Sequence, residues 1–190
     1  GYLTTGDIVS ISYKQYPWGG DLPKPKYMSV EGGVITSVED VTSSCLFQIF
    51  IEEVNGFYYY TFKLLDQEQY LKVNNNANGG QEGVLELVNS SAAASGFQIS
   101  EANNNAERSY LYGRLSCSVK ATWGGIISIY LTTDFRLAGW NPVSLYIEKW
   151  EQEGANAPKG RFYPESIILP YAVTDQELSN QAVKVTFTLP

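Results

Sequence analysis

Histidine is missing altogether from these 190 residues, and the chain has only two cysteines and one methionine. Without histidine it lacks the usual general base near neutral pH and the commonest metal ligand. Cys45 and Cys117 cannot by themselves complete a four-ligand zinc site. They lie 72 positions apart and read as two buried thiols acting as small core hydrophobes, with a disulfide closing a long loop as the alternative. Charge is scarce too, at 17% of residues, and its balance is acidic, with a net charge of -7. A nucleic-acid partner needs a basic surface to displace counterions, so none is expected. No apolar run reaches about 18 residues, so no helix is expected to span a membrane. The chain also opens Gly1-Tyr2 without an initiator methionine or the basic and apolar segments of a leader. It therefore reads as a trimmed product, with Gly1 a cleavage scar.

Catalytic signatures are equally thin. There is no Gly-x-Ser-x-Gly, and the glycine-rich stretches lack the lysine and the strand-to-helix context of a phosphate loop. Glu52 and Glu53 form an acidic pair, but adjacent acids on a strand point to opposite faces and cannot flank one bond. The expectation is a protein that is not an enzyme and that uses no cofactor and no metal.

What the chain does have is aromatic and β-branched sequence, with aromatics at 14% and 14 tyrosines. Residues 56–73 hold two such runs, strands at Tyr58 to Leu64 and Tyr70 to Val73, joined by the polar stretch Asp66 to Gln69, and predict a hairpin. Before it, strands are predicted at 8–12, 26–30, 34–38 and 46–51, with Gly32-Gly33 turning the second into the third. After it come 84–88 and 96–99, and then a third unit with strands at 110–112, 117–120, 126–131 and 143–147. Phe47-Gln48-Ile49, Phe97-Gln98-Ile99 and Leu145-Tyr146-Ile147 recur at intervals of 50 and 48 residues, and Val9, Tyr59 and Tyr110 at 50 and 51. Three four-strand units without helical spacing predict a closed all-β fold of threefold arrangement.

On those residues the chain resembles the β-trefoil family over about residues 6–150. It looks most like the fascin and actin-crosslinking branch, in which a Tyr-Leu-x-Val second strand and a Phe-x-Ile fourth strand recur. The matching positions are Tyr27-Met28-Ser29-Val30, Tyr70-Leu71-Lys72-Val73, Phe47-Gln48-Ile49 and Phe97-Gln98-Ile99. In the third unit Ser118-Val119-Lys120-Ala121 and Leu145-Tyr146-Ile147 stand where the pattern has those motifs. The Gln-x-Trp signature of the lectin branch is absent. An aligned β-sandwich is the alternative, because it too is built from short strands with closely spaced turns. Residues 151–190 read as a polar linker followed by a strand-containing extension, in which Ala182 to Leu189 alternates strictly.

Function must come from sites, because one fold hosts many functions. The asparagine-rich stretches Asn74 to Gly80 and Asn103 to Asn105 read as turns, and without an aspartate they do not make a calcium site. Asn89-Ser90-Ser91 has the form of a glycosylation acceptor. Aromatics among turn residues are more informative. Tyr16 and Trp18 flank Pro17 ahead of Gly19-Gly20, Trp123 precedes Gly124-Gly125, and Trp140 with Asn141 lies between Gly139 and Pro142. An exposed indole beside an amide stacks on the apolar face of a sugar or fills a pocket on a protein. The expectation is a non-catalytic recognition module of a secreted or cell-surface protein, binding glycan or protein through Tyr16, Trp18, Trp123, Trp140 and Asn141. The alternative is a structural or adaptor domain that docks on a neighbouring domain through its C-terminal strand. Protease inhibition of the soybean-trefoil kind is disfavoured, because Glu52-Glu53-Val54-Asn55 lacks the basic or large apolar residue of a reactive loop.

Overall fold

A computed structural model of the chain describes residues 3–16, 19–20, 22–100, 110–152 and 162–164. Among these, the strands in chain order are β1 (Ile8–Gln15), β2 (Lys24–Glu31), β3 (Val34–Val38), β4 (Phe47–Val54), β5 (Phe57–Leu64), β6 (Tyr70–Ala77) and β7 (Glu82–Val88). They continue with β8 (Gln98–Ser100), β9 (Tyr110–Lys120), β10 (Ile126–Leu131), β11 (Leu137–Ala138), β12 (Ser144–Gln152) and β13 (Phe162–Pro164). All of them join a single antiparallel sheet, so the protein is all-β, and two separate facing sheets do not describe it. Among the described residues no segment is α-helical, and no helix is long and apolar enough to cross a membrane.

Six strands pair in a ring. β1 meets β4 with Ile8 opposite Gln48, and β4 pairs β5 from Phe47–Leu64 to Val54–Phe57. Between β5 and β8 the link is one bridge, where Tyr60 and Phe97 exchange backbone hydrogen bonds of 2.7 and 2.8 Å. β8 then pairs β9, β9 pairs β12, and β12 returns to β1 with Ile147 opposite Ile11. Closure satisfies the backbone groups that an open edge would leave unpaired. Period-two alternation along these strands sends Val9 and Ile11, Phe47 and Ile49, Tyr60 and Phe62, and Leu145 and Ile147 into the core. The hairpins β2–β3, β6–β7 and β10–β11 lie outside the ring, and β7 also pairs β11. Their Met28, Val30, Leu71, Val73, Ile129 and Leu131 join the same hydrophobic cluster.

Most predicted strands are present with longer ends, and Phe47, Ile49, Tyr70, Leu71, Phe97 and Ile147 of the recurring motifs are buried, while Ile99 is only partly so. The run 56–73 is a hairpin only at its base, where Lys63 faces Tyr70 and Leu64 N donates to Gln69 O at 2.9 Å. Beyond that base β5 is held by β4, through the left-handed turn Asn55-Gly56 (φ 51° and 85°), and β6 is held by β7. In the third unit the predicted strands 110–112 and 117–120 are one strand. Gly113 does not break it, because Leu145 of β12 pairs with it and carries the ladder through. Ser118-Val119-Lys120 therefore ends the unit's first strand; the second is β10, and the third is the two-residue β11, which no sequence pattern marked. Cys45 and Cys117 are free and buried. Cys117 Sγ donates to Gly96 O at 3.3 Å, and burial raises its pKa. Trp18, Asn103 to Asn105, most of the 151–160 linker and the strand predicted at 182–189 lie outside the described residues.

Candidate functional site

Five residues separate β11 from β12, and both ends of that loop are pinned. Gly139 N donates to Gln81 O at 2.9 Å, and Val143 N donates to Leu131 O at 3.2 Å. Asn141 turns the chain at φ 51°, a conformation asparagine tolerates better than most residues. Trp140 thus has no strand slot that would bury it, and its side chain remains 39% exposed. It lines an open cleft of about 440 Å³ with Asn141, Asn76, Glu82, Thr133 and Arg136.

One wall of the cleft is a β-bulge. Asn74 pairs Val84 and Ala77 pairs Glu82, so Asn75 and Asn76 oppose the single residue Gly83. A side chain at Gly83 would overlap the Asn74 carbonyl oxygen and stand 2.7 Å from Asn75 Cα, so the strands approach this closely only across glycine. Asn75 Nδ2 donates to Gly80 O and to Lys120 O, each at 3.0 Å, which fixes the bulge. The extra residue of the bulge brings Asn76 into the cleft lining.

Thr132, Thr133 and Arg136 of the lining come from the turn between β10 and β11. The β2–β3 hairpin turns on Gly32-Gly33 and the β6–β7 hairpin on Asn78-Gly79-Gly80 in the left-handed region, whereas here Asp134 (φ 61°) and the aromatic Phe135 (φ 56°) take that conformation. Such residues cost on the order of 1–3 kcal/mol each and persist only where their surroundings enforce them. Here Phe135 is buried edge-on against Tyr13, with ring centroids 5.3 Å apart. The Tyr13 hydroxyl accepts from Asp134 N at 3.1 Å and donates to Asp134 Oδ1 at 3.4 Å, and Ser37 Oγ donates to the same oxygen at 3.4 Å. Burial, with the nearby Asp134 charge, raises the Tyr13 pKa. Thr132 N closes the turn by donating to Arg136 O at 2.8 Å. A second concavity of about 560 Å³ is lined by Ser37, Asp134 and Phe135, and it shares Val84 and Arg136 with the first. Arg136 stands between the two.

Of the residues expected to bind ligand, the structure joins only Trp140 and Asn141. Tyr16 is 75% exposed and belongs to a separate concavity of about 160 Å³ with Lys14, Tyr112 and Tyr146. There the Tyr112 and Tyr146 rings lie 4.6 Å apart, and Lys14 Nζ stands 5.4 Å from the Tyr146 centroid. Trp123, 70% exposed in the β9–β10 turn, folds its indole against Gly125 and lines neither large cleft. Arg136, Glu82 and Asn76, which line the same cleft, are not among the residues the sequence singles out: Asn76 lies in a stretch that reads as a turn, and no motif marks the other two. Among the described residues no group of three or more cysteine, aspartate and glutamate side chains converges to hold a metal ion. No family model and no curated protein matches the chain.

Proposed function

We propose that the chain is a non-catalytic recognition module that binds glycan in the Trp140 cleft, on a β-trefoil scaffold. One observation carries the reading: a half-exposed indole and an adjacent amide line an open cleft whose other walls offer hydroxyls, an amide, a carboxylate and a guanidinium. That combination suits a sugar, which has an apolar ring face for stacking and a rim of hydroxyls for hydrogen bonds. The trefoil reading is supported by the six-strand ring, by the three hairpins outside it, and by the buried pairs Met28/Val30, Leu71/Val73 and Ile129/Leu131 on the hairpins' first strands. On this reading the module works at a cell surface or after secretion, where glycans are displayed.

The test is a glycan array followed by titration of the best ligand into wild type, Trp140→Ala and Trp123→Ala. If Trp140 is the anchor, its loss costs about 2 kcal/mol, or roughly thirtyfold in affinity, while Trp123→Ala leaves affinity unchanged. An array on which the wild type is silent, or equal affinities for all three proteins, refutes the reading. A protein-docking role is favoured by a different feature, the tip of the β4–β5 hairpin, where Phe57 is 60% exposed beside exposed Val54 and Tyr58. A silent array with a binding partner lost on Phe57→Ser would support that alternative.

A further inference from the structure

Arg136 is the only cationic side chain lining either of the two large concavities, and it lines both. Its backbone is fixed by the Thr132 hydrogen bond and by the enforced turn at Asp134 and Phe135, so its Cα is positioned before any ligand arrives. Its guanidinium is within ion-pair distance of no carboxylate among the described residues. The nearest acid in sequence, Asp134, is turned to Tyr13 and Ser37. Glu82 shares the Trp140 cleft without pairing to it. A planar guanidinium with free donors, beside a stacking indole, matches a planar or tetrahedral oxyanion held on a sugar ring.

From this we infer that the glycan is acidic: an oligosaccharide carrying an isolated carboxylate or sulfate that pairs with Arg136 while an adjoining ring stacks on Trp140. This rests on the glycan reading and narrows it. Because the two concavities meet at Val84 and Arg136, the ligand spans them and is longer than one sugar ring. Glu82 accepts hydroxyl hydrogens on the Trp140 side. The net charge of -7 repels densely charged polyanions, so the single guanidinium selects a chain with spaced charges over a heparin-like or nucleic-acid polymer.

The experiment titrates wild type, Arg136→Gln and Trp140→Ala with four forms of one oligosaccharide series: uronic-acid-containing, its carboxyl-reduced counterpart, sulfated and neutral. Melting curves establish that the variants are folded. Wild type is expected to prefer a charged form, and Arg136→Gln to weaken that form by roughly tenfold to a hundredfold, as for loss of a charge-assisted hydrogen bond. Neutral forms should bind wild type and Arg136→Gln alike, and the preference should shrink as salt is raised. Preference for the uronic or the sulfated form supports the inference and identifies the anion. If wild type binds reduced and neutral forms as tightly as charged ones, and only Trp140→Ala weakens them, the acidic-ligand inference is overturned while the glycan reading survives. If no form binds wild type, both fall.

Discussion

Single residues in this protein set local stability by how much water they lose. Glu148 on β12 sits opposite Ser10 and Tyr110 and is partly buried. Burial raises its pKa above the ordinary 4.5, and the opposing pull of Lys14 is the smaller effect. A raised carboxyl pKa means that the folded state favours the protonated form. Its stabilising contribution is complete below pH 4.5 and is lost as pH rises through the folded value. Glu148→Gln, which keeps the shape and removes the charge, should therefore melt above wild type at pH 7, with the difference closing towards pH 4. Melting curves at both pH values decide it; a variant less stable than wild type at pH 7 would mean that the Lys14 attraction outweighs desolvation. The same scale explains Asp134 and Phe135. Where the β2–β3 hairpin turns on two glycines, this one holds two side chains in left-handed backbone because Tyr13 binds one and packs on the other.

At the scale of elements, the β6–β7 hairpin shows how a local irregularity builds a surface. Strict pairing would keep Asn76 in a regular ladder, whereas the bulge opposite Gly83 adds a residue there and brings Asn76 to the cleft. On its other edge Gly83 pairs Leu137, so β7 connects the bulge to the strand that leads into Trp140. Gly83→Ala would meet backbone atoms of Asn74 and Asn75, which cannot rotate away as a side chain could. Such overpacking costs about 1–3 kcal/mol, and denaturant unfolding should report a loss of that size together with, on the glycan proposal, weaker glycan binding. An alanine variant with unchanged stability and binding would show that the strands separate here at no cost.

For the whole molecule, closure of the ring depends on its weakest seam. β8 has three residues, and its meeting with β5 is the single Tyr60–Phe97 bridge. Phe97 is also fully buried, 5.8 Å from the Phe62 ring, so packing reinforces the seam that hydrogen bonds alone hold thinly. Phe97→Ala should cost about 3–5 kcal/mol, the range for truncating a buried phenylalanine. Chemical denaturation measures it, and a midpoint equal to wild type would mean that the seam closes without the ring.

The sequence by itself determined the strands of the first two units, because alternation of apolar and polar residues is a local signal, and it made Trp140 with Asn141 one of several loop-aromatic candidates, because glycine and proline on either side deny the indole a strand. It also excluded histidine-based chemistry outright. It could not mark β11, since two residues carry no period, and it split β9 at Gly113, since a glycine reads as a break until Leu145 is known to pair across it. It separated neither Tyr16 nor Trp123 from Trp140. Which side chains share a cleft depends on pairing between distant strands: β7 against β11 sets Asn76 and Glu82 beside Trp140, and the Tyr13 contact orients the turn that carries Arg136. Those contacts join residues far apart along the chain. Their energies exist only once the ring has closed and the hairpins have packed against one another, so only the tertiary structure decided the site.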